Sequence, residues 1–292
     1  MKKDSGSKTA EAAAATRAYH FGYQPPLVFA DRFAARFLRG GWRFVLGTPL
    51  RYLVFEIGMK DLRNVAGQVL ARSRFAEDRL EQATQRGIEQ YVIVGAGYDS
   101  YCLREGAGRP DLKIYELDHP DTQAEKRKRL QAITGGQLSA NLELVPVDFE
   151  TEDLAAGLAR SSFAPHAPTF FSWLGTTPYL SNAATVSTLG TIAQTAAAGS
   201  EIVFDFLGEE ALLENATHAA MYRKLKAFTA RRGEPLIGEF SPGELATILS
   251  SLGLSVIEEV DYVEQDTRYF EGRTDDLGAM PGSYLLHARM DG

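Results

Sequence analysis

Tyr91-Val-Ile-Val-Gly-Ala-Gly-Tyr-Asp-Ser100 and, further on, Ile114-Tyr-Glu-Leu-Asp118 decide how this chain is read. A short apolar run stops at Gly95-Ala96-Gly97. A second, Leu112 to Leu117, leads into an acid 21 residues after Gly97. Strand, glycine turn, helix, strand, acid is the order by which a doubly wound sheet grips the ribose of a nucleotide-like cofactor. Gly95 and Gly97 leave no side chain where the chain turns, so a ligand can approach the backbone closely. The third glycine of the dinucleotide fingerprint is missing, because Ser100 stands in its place. A pyrophosphate would need the next helix to aim its N-terminus at it, and Asp99 would repel an anion there. A ligand with an amino-acid end and no phosphate meets no such conflict. Each feature has a plainer alternative: a tight turn without ligand for the glycines, and a helix cap for Asp118 within Asp118-His-Pro-Asp121.

Composition narrows the class. The 292 residues are 45% hydrophobic and 24% charged, as in an ordinary globular protein of one large domain or two small ones. A net charge of −7 offers no basic excess for phosphate contacts, so nucleic acid is not an expected partner. The single cysteine, Cys102, excludes an intramolecular disulfide and points to a reducing compartment. No apolar run approaches the roughly 20 residues of a membrane helix, and no membrane partner is expected. The start of the chain is charged, then alanine-rich, without the apolar core of a signal peptide. The expectation is a cytoplasmic protein with a frayed first ten residues. His20, His166, His218 and His287 lack metal-ligand spacing, and no metal is expected.

Residues 10–88 read as helical: Glu11 to Arg17, Asp31 to Arg39, and Asp61 to Arg86, the last broken early by Gly67 and ended by Gly87. Strands are expected at 91–95, 112–117, 142–147, 168–174, 200–206, 255–263 and 283–290. Helices are expected at 120–132, 151–160, 182–197, 209–231 and 243–251. The connection 263–282 shows no helical pattern, so the last strand returns antiparallel by a long loop. The fold class is α/β: a Rossmann-like, seven-stranded, mostly parallel sheet with an antiparallel last strand and helices on both faces. A helical segment or cap, 1–88, precedes the sheet domain, 89–292. A lid insertion at 208–240 would put Tyr222, Phe228 and Phe240 on its inner face, and the whole forms one compact unit.

Other residues at the carboxyl edge of the sheet are candidates. Asp148 can accept from an adenine amino group with Phe149 packed on the ring, or can be a loop aspartate. Gly175-Thr-Thr-Pro-Tyr179 follows the fourth strand where an acceptor would meet the transferred group. Trp173 and Tyr179 there are site or core aromatics. Glu116 is a weaker acid candidate than Asp118. His119 and Tyr179 are the weak catalytic candidates, His119 as a base.

Four segments carry a family resemblance: Ala71-Arg-Ser-Arg-Phe-Ala-Glu-Asp78, Val94-Gly-Ala-Gly-Tyr-Asp-Ser100, Tyr115-Glu-Leu-Asp-His-Pro-Asp-Thr-Gln-Ala-Glu-Lys126 and Phe171-Ser-Trp-Leu-Gly-Thr-Thr-Pro-Tyr-Leu180. They resemble the leucine carboxyl methyltransferase-like family, and more closely its bacterial branch of S-adenosylmethionine-dependent O-methyltransferases. The expected sheet also fits most methyltransferases that use this cofactor. The resemblance implies S-adenosyl-L-methionine as cofactor. It places Arg72 on the methionine carboxylate, Gly95, Ala96 and Gly97 along the methionine part, Asp118 on the ribose, and Asp148 and Phe149 around the adenine, with Trp173 also in the cofactor set. The acceptor would be a carboxylate or hydroxyl of a small molecule, a polyketide-like metabolite among them. Eukaryotic members carry an acid after the fourth strand where this chain has Leu174. Two competing classes remain at this stage: an NAD(P)-dependent oxidoreductase and a non-catalytic module that binds the cofactor.

Overall fold

The apolar run before Gly95 forms β1 (Gln90–Val94), the first of seven strands in the computed structural model, which describes residues 5–231 and 233–292. The others are β2 (Lys113–Asp118), β3 (Leu142–Pro146), β4 (Thr169–Trp173), β5 (Glu201–Leu207), β6 (Leu254–Val260) and β7 (Ser283–Met290). They form one sheet in the order β3-β2-β1-β4-β5-β7-β6. β1 to β5 pair in parallel, and β7 runs antiparallel to both β5 and β6. The order reverses between β1 and β4, and ligands of open α/β sheets bind beyond the carboxyl ends at such a switch point.

The central strands are apolar on both faces and therefore need cover on both. Tyr91, Ile93, Phe170 and Val203 share one core with Ala14, Phe37, Leu70 and Phe75 of the N-terminal segment. That segment contains α1 (Ser5–Tyr23), α2 (Gly40–Gly47), a π-helical turn Tyr52–Gly58 and the long α3 (Arg63–Gln85). Val92, Val94, Phe171, Trp173 and Phe204 form the second core. It is closed by α6 (Leu154–Leu158), α7 (Asn182–Thr195) and α9 (Pro242–Ser251). The remaining helices are α4 (Tyr101–Arg104), α5 (Pro120–Thr134), α8 (Ala216–Arg231) and α10 (Tyr262–Tyr269). The punctuation is local chemistry. Ser241 caps α9 ahead of Pro242, Ser181 caps α7, and Gly87 ends α3 with a φ of 96°.

Several expectations are corrected. Residues 5–10 are helical rather than frayed; residues 1–4 lie outside the described residues. The alanine-rich stretch that follows favours the helix, and a tertiary contact holds its start: Thr9 Oγ1 donates to the Glu234 carboxylate at 3.0 Å. Asp31–Arg39 holds only a short 3-10 turn, Ala34–Phe37, because the Asp31 carboxylate draws in the amides of Phe33 and Ala34. Gly67 does not break α3. A Cβ there would lie 1.8 Å from the Gly278 carbonyl oxygen, so it permits a close crossing of backbones. The sixth strand ends at Val260, and α10 occupies part of the connection expected to be a plain loop. Asp261 caps it by accepting from the Glu264 amide at 2.8 Å.

The insertion 208–240 leaves and rejoins the sheet at one place. Gly208 N–H donates to Gly282 O at 2.8 Å, and Phe240 N–H donates to Leu207 O at 2.9 Å. Its returning strand of chain lies against the loop after β4, with Ile237 N–H on Pro178 O at 2.8 Å. No helix among the described residues is long and apolar enough to cross a membrane.

Candidate functional site

The turn after β1 has φ values of 68° at Gly95 and 46° at Gly97, the left-handed region that favours glycine. It is laced to the end of β2. Ala96 N–H donates to Leu117 O at 3.0 Å, and Gly97 N–H donates to Asp118 Oδ2 at 2.6 Å. Asp118 Oδ1 accepts from the His119 amide at 2.7 Å. Burial raises the pKa of this carboxyl, against the opposing pull of those two amides. Asp148 sits on the same edge, since Val147 N–H donates to Asp118 O at 2.9 Å. Its Oδ1 accepts from the Glu150 amide at 3.1 Å, and the neighbouring Phe149 ring is 44% exposed.

The phosphate site of a dinucleotide fold is not available here. α4 is a single turn, and Asp99 Oδ1 already accepts from its Tyr101 amide at 2.7 Å. Ser100, at the position of the missing glycine, is buried and accepts from Arg104 Nε at 2.8 Å. His119 caps α5, its Nδ1 accepting from the Asp121 amide at 3.2 Å. Glu116 is fully buried against Lys126, beneath the edge rather than on it.

The other half of the site is built by contacts far apart in sequence. Arg72 on α3 lies across Gly175, where a Cβ would fall 2.4 Å from both terminal guanidinium nitrogens. Its Nη1 is 3.3 Å from Asp205 Oδ2 on β5. The Asp205 side chain is 3% exposed and accepts from the Gly175 amide at 2.6 Å. Gln68 Nε2 approaches it at 3.5 Å, and the Thr177 hydroxyl donates to the Asp205 carbonyl. Gly95 joins the two halves, because a Cβ on it would meet Thr176 Oγ1 at 3.1 Å. A continuous edge therefore runs from Asp118 through the glycine turn to Arg72 and Asp205. A cation and a carboxylate side by side offer matched partners to a zwitterion.

Asp205 was absent from the sequence candidates, yet a signal existed. It is the one charge within the apolar run Ile202-Val-Phe-Asp-Phe-Leu207, and a charge in a buried strand must be paired. A cavity of about 70 Å³ opens beside this pair. Arg72, Asp205 and Tyr179 form its polar wall, and Leu225, Leu236 and Met280 are on its apolar side. Burial raises the Tyr179 hydroxyl pKa; Arg72 pulls it down and Glu234 and Asp205 push it up. Leu225 and Leu236 come from the insertion. Of the three aromatics expected on its inner face, none lines the cavity, although Tyr222 is buried with Leu207, Leu236 and Met280. Tyr222 donates to Gly208 O at 3.1 Å, Phe240 belongs to the second core, and Phe228 is half-buried. Trp173 is also in the second core, 6.4 Å from the Phe204 ring centroid, and does not line the cavity.

The sheet order, the antiparallel β7, the glycine turn and the acid ending β2 define a Rossmann-like methyltransferase fold. The family model for leucine carboxyl methyltransferase matches residues 10–193, and the chain belongs to that family. It is 29% identical over 306 residues to YktD of Bacillus subtilis (strain 168), a protein whose name assigns it to the S-adenosyl-L-methionine-dependent methyltransferases. The match covers 99% of each chain. A similarly named protein of Mycolicibacterium paratuberculosis is 29% identical over 246 residues, 82% of this chain and 74% of that one. Among solved structures, a DUF574-family protein from Streptomyces avermitilis superposes with a TM-score of 0.62 at 13% identity, covering 95% of this chain and 97% of that one, and supports the fold. The chain is a methyltransferase dependent on S-adenosyl-L-methionine, and the oxidoreductase reading falls.

Proposed function

We propose that this enzyme methylates an oxygen, a carboxylate or hydroxyl, of a small-molecule acceptor, polyketide-like metabolites being one class it would take. The observation that carries the reading is the cavity beside Arg72 and Asp205. Tyr179 lines it together with Leu225 and Leu236 of the insertion.

The residues present fit the cofactor. Arg72 would take the methionine carboxylate and Asp205 the ammonium, a pairing already set by their 3.3 Å separation. Gly95 and Gly97 let the backbone approach, Asp118 would accept from the ribose hydroxyls, and Asp148 with Phe149 would frame the adenine. When bound, the cofactor supplies a methyl group on a sulfonium, with a ready leaving group behind it. The chain then has to place an acceptor oxygen in line and keep it there, and such positioning can supply much of a rate enhancement. Leu225, Leu236 and Met280 exclude water from the acceptor side. Tyr179, its pKa raised by burial, stays protonated and acts as a hydrogen-bond donor rather than a base. His119 is held by its cap bond to α5. A carboxylate acceptor suits these groups best, because it is ionised near neutral pH and needs no base. The single cysteine, Cys102, buried and free, supports a cytoplasmic location.

A screen for labelled-methyl transfer from S-adenosyl-L-methionine to carboxylic acids, phenols, amines and thiols tests the reading. Product on an oxygen acceptor is expected. Transfer confined to amines or thiols refutes it, as does thermal stabilisation by NADH but not by S-adenosylhomocysteine.

A further inference from the structure

Residues 32–55 contain five arginines, at 32, 36, 39, 43 and 51, and no acid, in a chain whose net charge is −7. The overlapping stretch 44–57, whose one acid, Glu56, is paired with Arg63, carries the three most exposed large apolar side chains of the described residues, together with Leu53. Phe44 is 62% exposed, Tyr52 61%, Ile57 59% and Leu53 55%. Their exposure is a consequence of how the segment packs. Its inward residues are fixed on α1: Tyr19 stacks on Phe55 at 4.1 Å, and Tyr23 donates to Leu46 O at 2.9 Å. Phe44, Tyr52, Leu53 and Ile57, on the same two helical segments, are left without such cover. At its edge, Arg36, Arg39 and Arg43 line a groove of about 570 Å³ against α5, where Arg129 joins them and Glu125 is the acid present. Arg129 is committed to Glu125 and to the Tyr98 ring, and Arg39 lies 3.7 Å from Glu11. Arg36 and Arg43 are exposed.

We propose that this face docks on an anionic lipid bilayer, with Arg36 and Arg43 on headgroup phosphates and Phe44, Tyr52, Leu53 and Ile57 entering the headgroup boundary. Charge complementarity selects that occupant. Basic residues flanking protruding apolar ones are the pattern of an interfacial anchor. A second copy is disfavoured, because a two-fold contact brings the same patch against itself and so sets the arginines against one another. The sequence-based expectation of no membrane partner rested on the lack of a spanning run, and it does not reach a surface contact of this kind. The proposal is independent of what the enzyme methylates.

Vesicle flotation tests it with the full chain. Phosphatidylcholine vesicles are compared with vesicles that also contain phosphatidylglycerol, at low and high salt. Binding is expected only to the anionic vesicles and should weaken as salt rises. Arg36→Glu with Arg43→Glu, and separately Tyr52→Ser with Leu53→Ser, should each lower vesicle affinity by about tenfold or more. Both pairs should leave S-adenosylhomocysteine affinity unchanged, which also reports that they fold. The wild-type salt and lipid dependence decides the matter if a variant does not fold. The proposal is overturned if the wild type ignores anionic vesicles, binds both kinds equally, or binds undiminished after both pairs of changes. It is also overturned if the wild type is a solution dimer that Leu53→Ser splits, which would assign the face to a second copy. Stabilisation by inorganic phosphate without vesicle capture would reduce it to a free-anion groove and overturn it as well.

Discussion

Replacing Asp205 with asparagine is the sharpest perturbation of the site, because it removes one charge and almost no volume. The wild-type carboxylate accepts from the Gly175 amide at 2.6 Å and faces Arg72 at 3.3 Å, with its side chain 3% exposed. Asparagine can keep the bond to Gly175 through its amide oxygen. It loses the charge that balances Arg72, which is itself only 18% exposed. A hydrogen bond to a charged group is worth about 1.5–3 kcal/mol, so a cofactor ammonium deprived of this partner should bind about tenfold to a hundredfold more weakly. Calorimetry with two ligands isolates the effect. S-adenosylhomocysteine has the amino-acid end, and 5′-methylthioadenosine lacks it. The substitution should weaken the first and spare the second, and Arg72→Met should do the same. Urea unfolding of the ligand-free protein should show a loss of about 1–3 kcal/mol, from the guanidinium left without its partner. Equal loss for both ligands would mean a general collapse of the edge. An unchanged affinity for S-adenosylhomocysteine would refute the pairing of Arg72 and Asp205 with the zwitterion.

Asp118→Ala should give the complementary pattern in the same calorimeter, weakening S-adenosylhomocysteine and 5′-methylthioadenosine together by more than about tenfold; retained affinity for either rules out the ribose role. Gly97→Ala places a Cβ 3.1 Å from that of Ala10 at a φ of 46°, so urea unfolding should register a loss of about 1–2 kcal/mol, with weaker cofactor binding. His20 is buried, and desolvation, then the Arg273 charge, hold its pKa down at about 4, while its Nε2 accepts from the Val28 amide at 2.8 Å. A base depressed in the folded state contributes stability present above its unfolded pKa near 6.5 and lost as pH falls toward 4. The loss should approach about 3 kcal/mol, and His20→Asn should flatten that part of the urea midpoint against pH; an equal slope in the variant contradicts it.

How much of this was legible in the sequence follows from the range over which each feature is encoded. β1 to β5 were found nearly to the residue, because the central strands, covered on both faces, are mostly apolar runs bounded by turn residues, and the edge strand β3 still carries the apolar Leu142, Leu144 and Val145. The Gly95–Gly97 turn and Asp118 were found because one strand–turn–strand unit contains them. α10 was missed because its evidence is only the cap Asp261 with Glu264, over eight helical residues. The 31–39 stretch misled because its apolar spacing is helical while Asp31 is committed elsewhere. That carboxylate accepts from Arg17 Nε at 2.8 Å, a bond across 14 positions that no local pattern announces. Asp205 was missed for the same reason: its meaning lies in Arg72, 133 positions away.

The N-terminal segment packs directly on the glycine turn of the candidate site and is not an appendage to the sheet. Ala10 on α1 faces Gly97 so closely that a Cβ on the glycine would touch it at 3.1 Å. Arg17, about two turns further along, donates to the Tyr98 carbonyl at 2.6 Å and holds the turn. The same guanidinium binds Asp31, which also lies 3.8 Å from Arg104 Nε, and Arg104 in turn is forked onto Glu77 of α3. A buried chain of charges therefore ties α1, α3 and α4 to the backbone that a cofactor would approach. Breaking one partner of such a chain strands another charge in a poorly solvated place, which costs several kcal/mol. The glycine at 97 then has two causes. The backbone conformation demands it, and so does the helix laid across it. Reading it only as an opening for a ligand accounts for neither of these.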